Sequence, residues 1–331
     1  KMPDWNPAEL IGARPKPLSA SLFHNLITKK VWREARARIG YYSPTSEELL
    51  RMVLGQPFID IRNSLNSFTP NKLPSKIRDK VVEEALDFLT NNPDLHDKLE
   101  FDVATTCYTP YFEERKSRWI NFGFKESEIE TMRVCFKKHT IELLEKGLAE
   151  IDILISQVDN LDEKRKYLVS SSNLSEVDKV KEIIEVCSSE GTLPFSILAR
   201  FAFIGNTFLR SFVDKKILSK KSYDLYLKSI ETVATELILS IEKLKNGEIN
   251  QKQFMADFGH LRPGTFEIES PRYDEEPDLY FSIDGQNNLE PYSHDKYEFN
   301  ETEKKKMEEE LSKLGIKMGF EKFIKFIELS I

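Results

Sequence analysis

Cysteine is scarce. The 331 residues contain three, and Cys107, Cys135 and Cys187 lie too far apart to outline a disulfide framework or a zinc knuckle. Reduced thiols and a cytoplasmic setting fit that usage. Glycine is scarce as well, at 13 residues, where an average chain carries about 7%. Neither G-x-G-x-x-G nor G-x-x-x-x-G-K-[ST] occurs, so there is no recognisable glycine-rich phosphate cradle. Positive charge is not in excess: 48 Lys and Arg face 55 Asp and Glu, a net charge of -7. Without an overall basic field, counterion release gives nucleic acid no hold, and it is not an expected partner. Long apolar runs are missing too. None approaches the roughly 18–20 residues that cross a bilayer, so no membrane association is expected. The first residues, Lys1 to Pro7, lack the apolar stretch of a secretory signal.

The ready-made hydrolase motifs are also absent. His24, His96, His139, His260 and His294 stand far apart, with no H-x-x-x-H, no H-E-x-x-H and no G-x-S-x-G elbow. Tyr292-Ser293-His294-Asp295 lacks the small residues and helix start that a phosphoacceptor histidine needs. The crowding of Trp5 with two prolines at the start, and an uncapped amphipathic segment at the end, suggest a region taken from a longer protein.

What is present is mostly helix. Helices are predicted at about 19–39, 46–54, 127–156, 176–188, 191–213, 221–245 and 301–314 from their apolar stripes and caps. The 191–213 helix is apolar nearly all round and belongs inside a bundle. Residues 57–68 alternate with period two, placing Asp60, Arg62, Ser64 and Asn66 on one face and Ile59, Ile61 and Leu65 on the other, which predicts a strand. Further strands are expected at 98–108 and 264–269, and a long acidic loop at 270–300. The expected fold class is mainly α with a small β-sheet (α+β), a single region with a mixed part at 1–125, a helical part at 126–258, and a site loop, strand, acidic loop and C-terminal helices at 259–331.

Three groups of residues carry possible chemistry. Asp257-Phe258-Gly259-His260-Leu261-Arg262-Pro263-Gly264-Thr265 holds a histidine and an arginine between stiffening glycines and a proline, which makes either a site or a tight connection that caps the preceding helix. The polar strand face of Asp60, Arg62, Ser64 and Asn66 is either solvated surface or a fork for a carboxylate or phosphate. Arg200 and Arg210 interrupt the apolar helix, and a buried arginine must be paired, by an internal acid or by a ligand anion. His139, on a stripe with Met132, Phe136 and Leu143, reads as a satisfied core histidine, and His96 as part of a helix-to-strand turn.

Several stretches resemble the central region of phosphoenolpyruvate-utilising enzymes, the phosphohistidine-swivel group related to PEP synthase, rifampicin phosphotransferase and glutamine kinase. They are Asp4-Trp5-Asn6-Pro7-Ala8-Glu9-Leu10-Ile11-Gly12, Phe58 through Phe68, Leu95-His96-Asp97-Lys98-Leu99-Glu100-Phe101, Gly191-Thr192-Leu193-Pro194-Phe195, and Gly259 through Thr265, in order over nearly the whole chain. Phe258-Gly259-His260-Leu261-Arg262-Pro263-Gly264 is similar to the family's Y-G-H-x-x-P-G stretch, with Phe258 departing conservatively, while Asn63 stands where a small apolar residue is expected.

The resemblance implies a three-part kinase. An ATP-grasp domain ahead of Lys1 would bind ATP and Mg2+, a phosphohistidine domain beyond Ile331 would ferry the phosphoryl group, and this region would hold a small-molecule acceptor, an amino acid such as glutamine among the candidates. Products would be AMP and phosphate together with the phosphorylated acceptor, and this chain alone would be inactive. As a hypothesis within that scheme, His260 and Arg262 are expected to be catalytic residues, and Arg62, Asp60, Asn66, Arg200 and Arg210 to bind the acceptor. Two alternatives stand beside it. One is PEP-synthase-type phosphorylation of pyruvate, though helices that do not alternate with strands argue against the barrel this needs. The other is a non-catalytic helical interaction module that docks a basic partner on the acidic loop from Asp274 to Glu298.

Overall fold

The computed structural model describes residues 6–44, 48–281 and 296–331. Asp4 and Trp5, the start of the helix predicted at 46–54, His294 and much of the acidic loop lie outside the described residues. Helices hold 67% of the chain and strands 3%, which makes the fold mainly α with a two-stranded sheet.

The N-terminal part begins with α1 (Pro7–Leu10), capped by Asn6, whose side chain accepts from the Ala8 amide. Pro17, with its fixed φ, opens α2 (Pro17–Phe23). One π-helical turn, His24–Thr28, follows, and Lys30 leaves helical geometry before α3 (Val31–Arg38). The single helix expected at 19–39 is therefore two.

Residues 48–54 are not a helix. Leu50–Val53 forms β1, which pairs antiparallel with β2 (Gln56–Ile59) in the register Leu50 to Ile59 and Val53 to Gln56. The two-residue loop, Leu54-Gly55, has φ of +51° and +77°, the doubly positive geometry whose twist matches a hairpin.

Of the three predicted strands, the one at 57–68 survives only over residues 57–59 of β2, and the other two are replaced. The alternation of 57–68 breaks at Asp60, whose carboxylate accepts the Asn63 amide at 3.0 Å and caps α4 (Ile61–Asn66). Ile61, Leu65 and Phe68 then fall on one helical side and pack against Val82 and Ala85 of α5 (Ser75–Asn91). At 98–108 the chain makes a π-helical turn, Leu99–Val103, before extending at Ala104. Leu99 and Val103, four apart, bury in the same cluster as Leu65. At 264–269, Pro263 and Gly264 lead into consecutive turns, with Glu267 donating to Gly264 and Ser270 to Glu267.

After α6 (Lys116–Asn121), the bundle is laid down by α7 (Glu126–Asp159), α8 (Leu161–Ser170), α9 (Glu176–Val186) and α10 (Leu193–Asp214). The helix expected at 221–245 splits into α11 (Lys220–Lys228) and α12 (Val233–Lys245), because Thr232 takes a cap conformation and its hydroxyl accepts the Thr235 amide. Then come α13 (Gln251–Phe258), the short α14 (Pro277–Tyr280), α15 (Glu301–Lys313) and α16 (Phe320–Ser330).

The main core lies where α16 crosses α7 and α10. Phe323 meets Phe208 and Phe212 edge-on at 5.8 and 6.0 Å between centroids, and Phe326 meets Phe201 at 5.4 Å. Two glycines allow that approach: a Cβ on Gly147 would come within 2.5 Å of Phe326, and one on Gly205 within 2.7 Å of Ile327. The helical run Glu176–Asp214 is long and apolar enough to cross a membrane by length and composition, contrary to the expectation that no such run exists, and half of its most apolar window is buried inside the protein.

Candidate functional site

The site is built on a strap, residues 99–106, that runs along α10. A π turn leaves backbone carbonyls without their usual partners, and here two arginines supply the donors. Arg115 donates to the carbonyls of Phe101 at 2.7 Å and Ala104 at 2.5 Å, and to the Thr105 hydroxyl at 3.3 Å. Arg118 donates to the Val103 carbonyl at 2.7 Å and pairs with Glu84, which is 2% exposed. Its guanidinium also lies 4.2 Å from the Phe88 ring centroid. Burial raises the Glu84 carboxyl above its ordinary value against the pull of Arg118, and lowers the Arg115 guanidinium to about 10, still charged at neutral pH.

On its other side the strap projects Glu100 and Asp102 toward α10. Glu100 forms an ion pair with Arg200, and both side chains are essentially inaccessible. Asp102 accepts from Arg210 at 2.8 Å, one side chain a third exposed and the other slightly more. Phe101 sits edge-on to Phe203 at 5.5 Å with the Arg210 guanidinium over its ring at 4.8 Å. Behind Arg200 stand the rings of Phe68 at 5.3 Å and Tyr41 at 5.7 Å, and the Tyr41 hydroxyl donates to the Thr106 carbonyl at 2.9 Å.

Between the strap, the loop that follows it and the C-terminal half of α10 lies a cavity of about 320 Å³, near the lower end of small-ligand sites. Arg115, Arg118 and Arg210 bring positive charge to its wall, and Glu100, Asp102, Glu114 and Asp214 bring negative charge. Thr105, Thr106 and Thr109 add hydroxyls. Cys107 also lines it, but burial pushes its thiol up to about 12, so it stays protonated and is no nucleophile. A wall with both charge signs and several hydroxyls can hold a small polar molecule that itself carries both signs.

Of the residues proposed from sequence, Arg200 and Arg210 meet at this strap. The rest are spent elsewhere. Arg62 is exposed and bridges to Glu83 of α5, with Nη2 3.4 Å from Oε2. Asp60 caps α4 and lies 3.5 Å from Arg51, and Asn66 donates to the Arg62 carbonyl at 3.1 Å. The strand with one polar face that these residues were expected to form stops at Ile59, because the Asp60 cap turns the chain into helix.

Arg262 staples its own loop, donating to the carbonyls of Glu267 at 3.4 Å and Ile268 at 3.2 Å. The loop doubles back, with Tyr273 donating to Leu261 and Asp274 to Gly259, and seats Phe266 against Phe23 at 5.7 Å. His260 is exposed on a separate open groove of about 1150 Å³ shared with Arg165, Lys243 and Arg272, and neither Arg62 nor Arg262 lines that groove. His96 bonds to the Pro93 carbonyl at 3.0 Å, within a 3-10 turn that leads to no strand.

Arg115 and Arg118 escaped the sequence reading. The signal available was an i, i+3 arginine pair shortly after a hydroxyl-rich stretch, Thr105-Thr106-Cys107-Tyr108-Thr109, with five residues between. No group of three or more His, Cys, Asp or Glu side chains among the described residues is placed to hold a metal ion. The chain matches no known family profile, no curated protein and no solved structure.

Proposed function

We propose that this chain is the acceptor-binding part of a multidomain ATP-dependent phosphotransferase of the phosphohistidine-swivel kind, with the acceptor seated in the cavity of Arg115, Arg118 and Arg210. One observation carries the reading. Three cations, several carboxylates and a row of threonines converge on a cavity of ligand size. Stretches 58–68 and 95–101, and the helix that opens within 191–195, meet beneath it at the Glu100–Arg200 pair and the Phe68 ring.

The mixed charge suits a zwitterionic amino acid. Its carboxylate would face Arg210 and Arg115, and its ammonium Asp102 or Glu114. ATP and Mg2+ belong to an ATP-grasp domain, and a phosphohistidine domain ferries the phosphoryl group. At the acceptor the phosphorus–nitrogen bond of the phosphohistidine breaks and a bond from phosphorus to the acceptor's nucleophilic oxygen or nitrogen forms. The displaced proton passes to Asp214, exposed at the rim and without an ion pair among the described residues. Phosphoryl transfer is mainly positioning and charge stabilisation, and the strap supplies both through arginines already fixed in place. His260, on its separate groove, is outside the acceptor seat in this reading.

Titration calorimetry of this chain with L-glutamine and other amino acids tests the binding step, and acceptor-dependent release of AMP and phosphate by the complete multidomain enzyme tests the reaction. Arg210→Ala should weaken acceptor binding by roughly tenfold or more, as loss of a charged hydrogen bond predicts, and His260→Ala should leave it unchanged. ATP hydrolysis by this chain unaided, or full acceptor dependence in Arg210→Ala, would overturn the proposal.

A further inference from the structure

Two ion pairs join the strap to α10, and they are built differently. Glu100 and Arg200 are enclosed, whereas Asp102 and Arg210 both line the cavity, with side chains 32% and 37% exposed. An enclosed pair has to stay together, since neither charge has water to turn to. A pair in contact with solvent can part and take new partners.

Each member of the second pair is held in place without the other. The Arg210 guanidinium lies over the Phe101 ring at 4.8 Å, and Phe203 braces that ring edge-on. Asp102 rides on a backbone whose neighbouring carbonyls, at Phe101, Val103 and Ala104, are tied down by Arg115 and Arg118. A single hydrogen bond joins the two, from Nη2 of Arg210 to Oδ1 of Asp102. Nη1 and Oδ2 are left without a hydrogen-bond partner among the described residues. The other charged groups nearby have less to spare. Arg115 spends both terminal nitrogens on the strap, and Glu114 is engaged by Lys215.

We infer that the Asp102–Arg210 pair holds the place of the ligand: a zwitterion enters between the two, its carboxylate on Arg210 and its ammonium on Asp102, exchanging one internal ion pair for two external ones. This rests on the acceptor seat proposed above, and it makes Asp102 the residue that sets the seat's selectivity. An acid that lacks an amino group would place a second anion beside Asp102. An amine that lacks a carboxylate would place a second cation beside Arg210. Like charges at that distance repel, so only a ligand with both signs a few ångströms apart replaces the pair without conflict.

Titration calorimetry of this chain tests the exchange. The best-bound amino acid, L-glutamine being the first to try, is compared with its deamino and decarboxy analogues, which for glutamine are 4-carbamoylbutanoate and 4-aminobutanamide. The wild-type chain should hold the amino acid at least about tenfold more tightly than either analogue, the share of one charged hydrogen bond. In Asp102→Asn, shown to be folded by its melting curve, the deamino analogue should gain about tenfold or more while the amino acid itself weakens. Amino acid binding without that reversal, or the reversal in Glu114→Gln instead, would overturn the inference and leave the seat standing. Absence of binding by any amino acid would overturn the seat, and the inference with it.

Discussion

Arg200 and Arg62 belong to two regions that read alike in chemical terms and differ in physical ones. Each arginine faces a glutamate from a neighbouring segment. Arg200 and Glu100 are enclosed between the strap and α10, at 0% and 1% exposure, whereas Arg62 and Glu83, where α4 meets α5, are 54% and 52% exposed. In the interior a lone charge has no water to fall back on, so the pair is obligatory once either member is there. At the surface, solvent serves each partner nearly as well as the other does. What separates the regions is the neighbourhood. Arg200 rides on a helix with Ile197, Phe201 and Ile204 buried around it, while Arg62 sits in the first turn after an Asp cap.

The largest expected effect comes from splitting the interior pair. Glu100→Ala leaves Arg200 charged and enclosed, and urea unfolding should show a loss of about 3–5 kcal/mol, the usual cost of an uncompensated buried charge. Replacing both, as Glu100→Leu with Arg200→Met, should recover most of that loss, because apolar side chains of similar volume need no partner. A double variant as unstable as Glu100→Ala would mean that the pair does more than neutralise itself.

The same contrast explains how much of the molecule was legible in its sequence. Long amphipathic helices announced themselves: α7, α10 and α15 lie within a few residues of their predicted limits, and the apolar α10 is the bundle's interior helix. Short segments misled. Residues 59–65 alternate with period two, yet Ile61 and Leu65 are also four apart, and the local carboxylate cap of Asp60 decided between the periods. Leu99 and Val103 pose the same ambiguity, resolved by tertiary packing against α4 and α5. In the candidate site Arg200 and Arg210 were found because charge on an apolar helix demands a partner. Arg115 and Arg118 were not, because their partners are backbone carbonyls freed by a π turn, and no residue pattern announces a π turn.

A smaller effect should appear in the pH dependence of stability, where burial again sets one group apart. His139 is held neutral in the folded protein by desolvation, with its pKa below the ordinary 6.5. Below about pH 6.5 the unfolded chain therefore binds a proton that the folded chain refuses. This contribution to stability is fully present above the unfolded pKa and is lost as pH falls from there through the folded pKa. Chemical unfolding measured at intervals from pH 7.5 to 5 should show that decline, and His139→Phe should flatten it even though it also removes the bond to Ile39. An unchanged slope in the variant would assign the decline to other groups.

The smallest effect is expected at the exposed pair, where it is the most informative about the comparison. Hydrogen bonding with Glu83 raises the Arg62 pKa, and the partner carboxyl is lowered in turn, but both groups remain in contact with solvent. Arg62→Ala and Glu83→Ala should each shift unfolding by no more than about 0.5 kcal/mol, and a double-mutant cycle should return a coupling of the same order. Raising the salt concentration to about 1 M, where the screening length shrinks to roughly 3 Å, should reduce that coupling further while leaving the cost of Glu100→Ala nearly unchanged. A large, salt-insensitive coupling at Arg62 would mean that this corner of α4 is covered in the working protein, and that its arginine is held for a partner or acceptor as the resemblance implied.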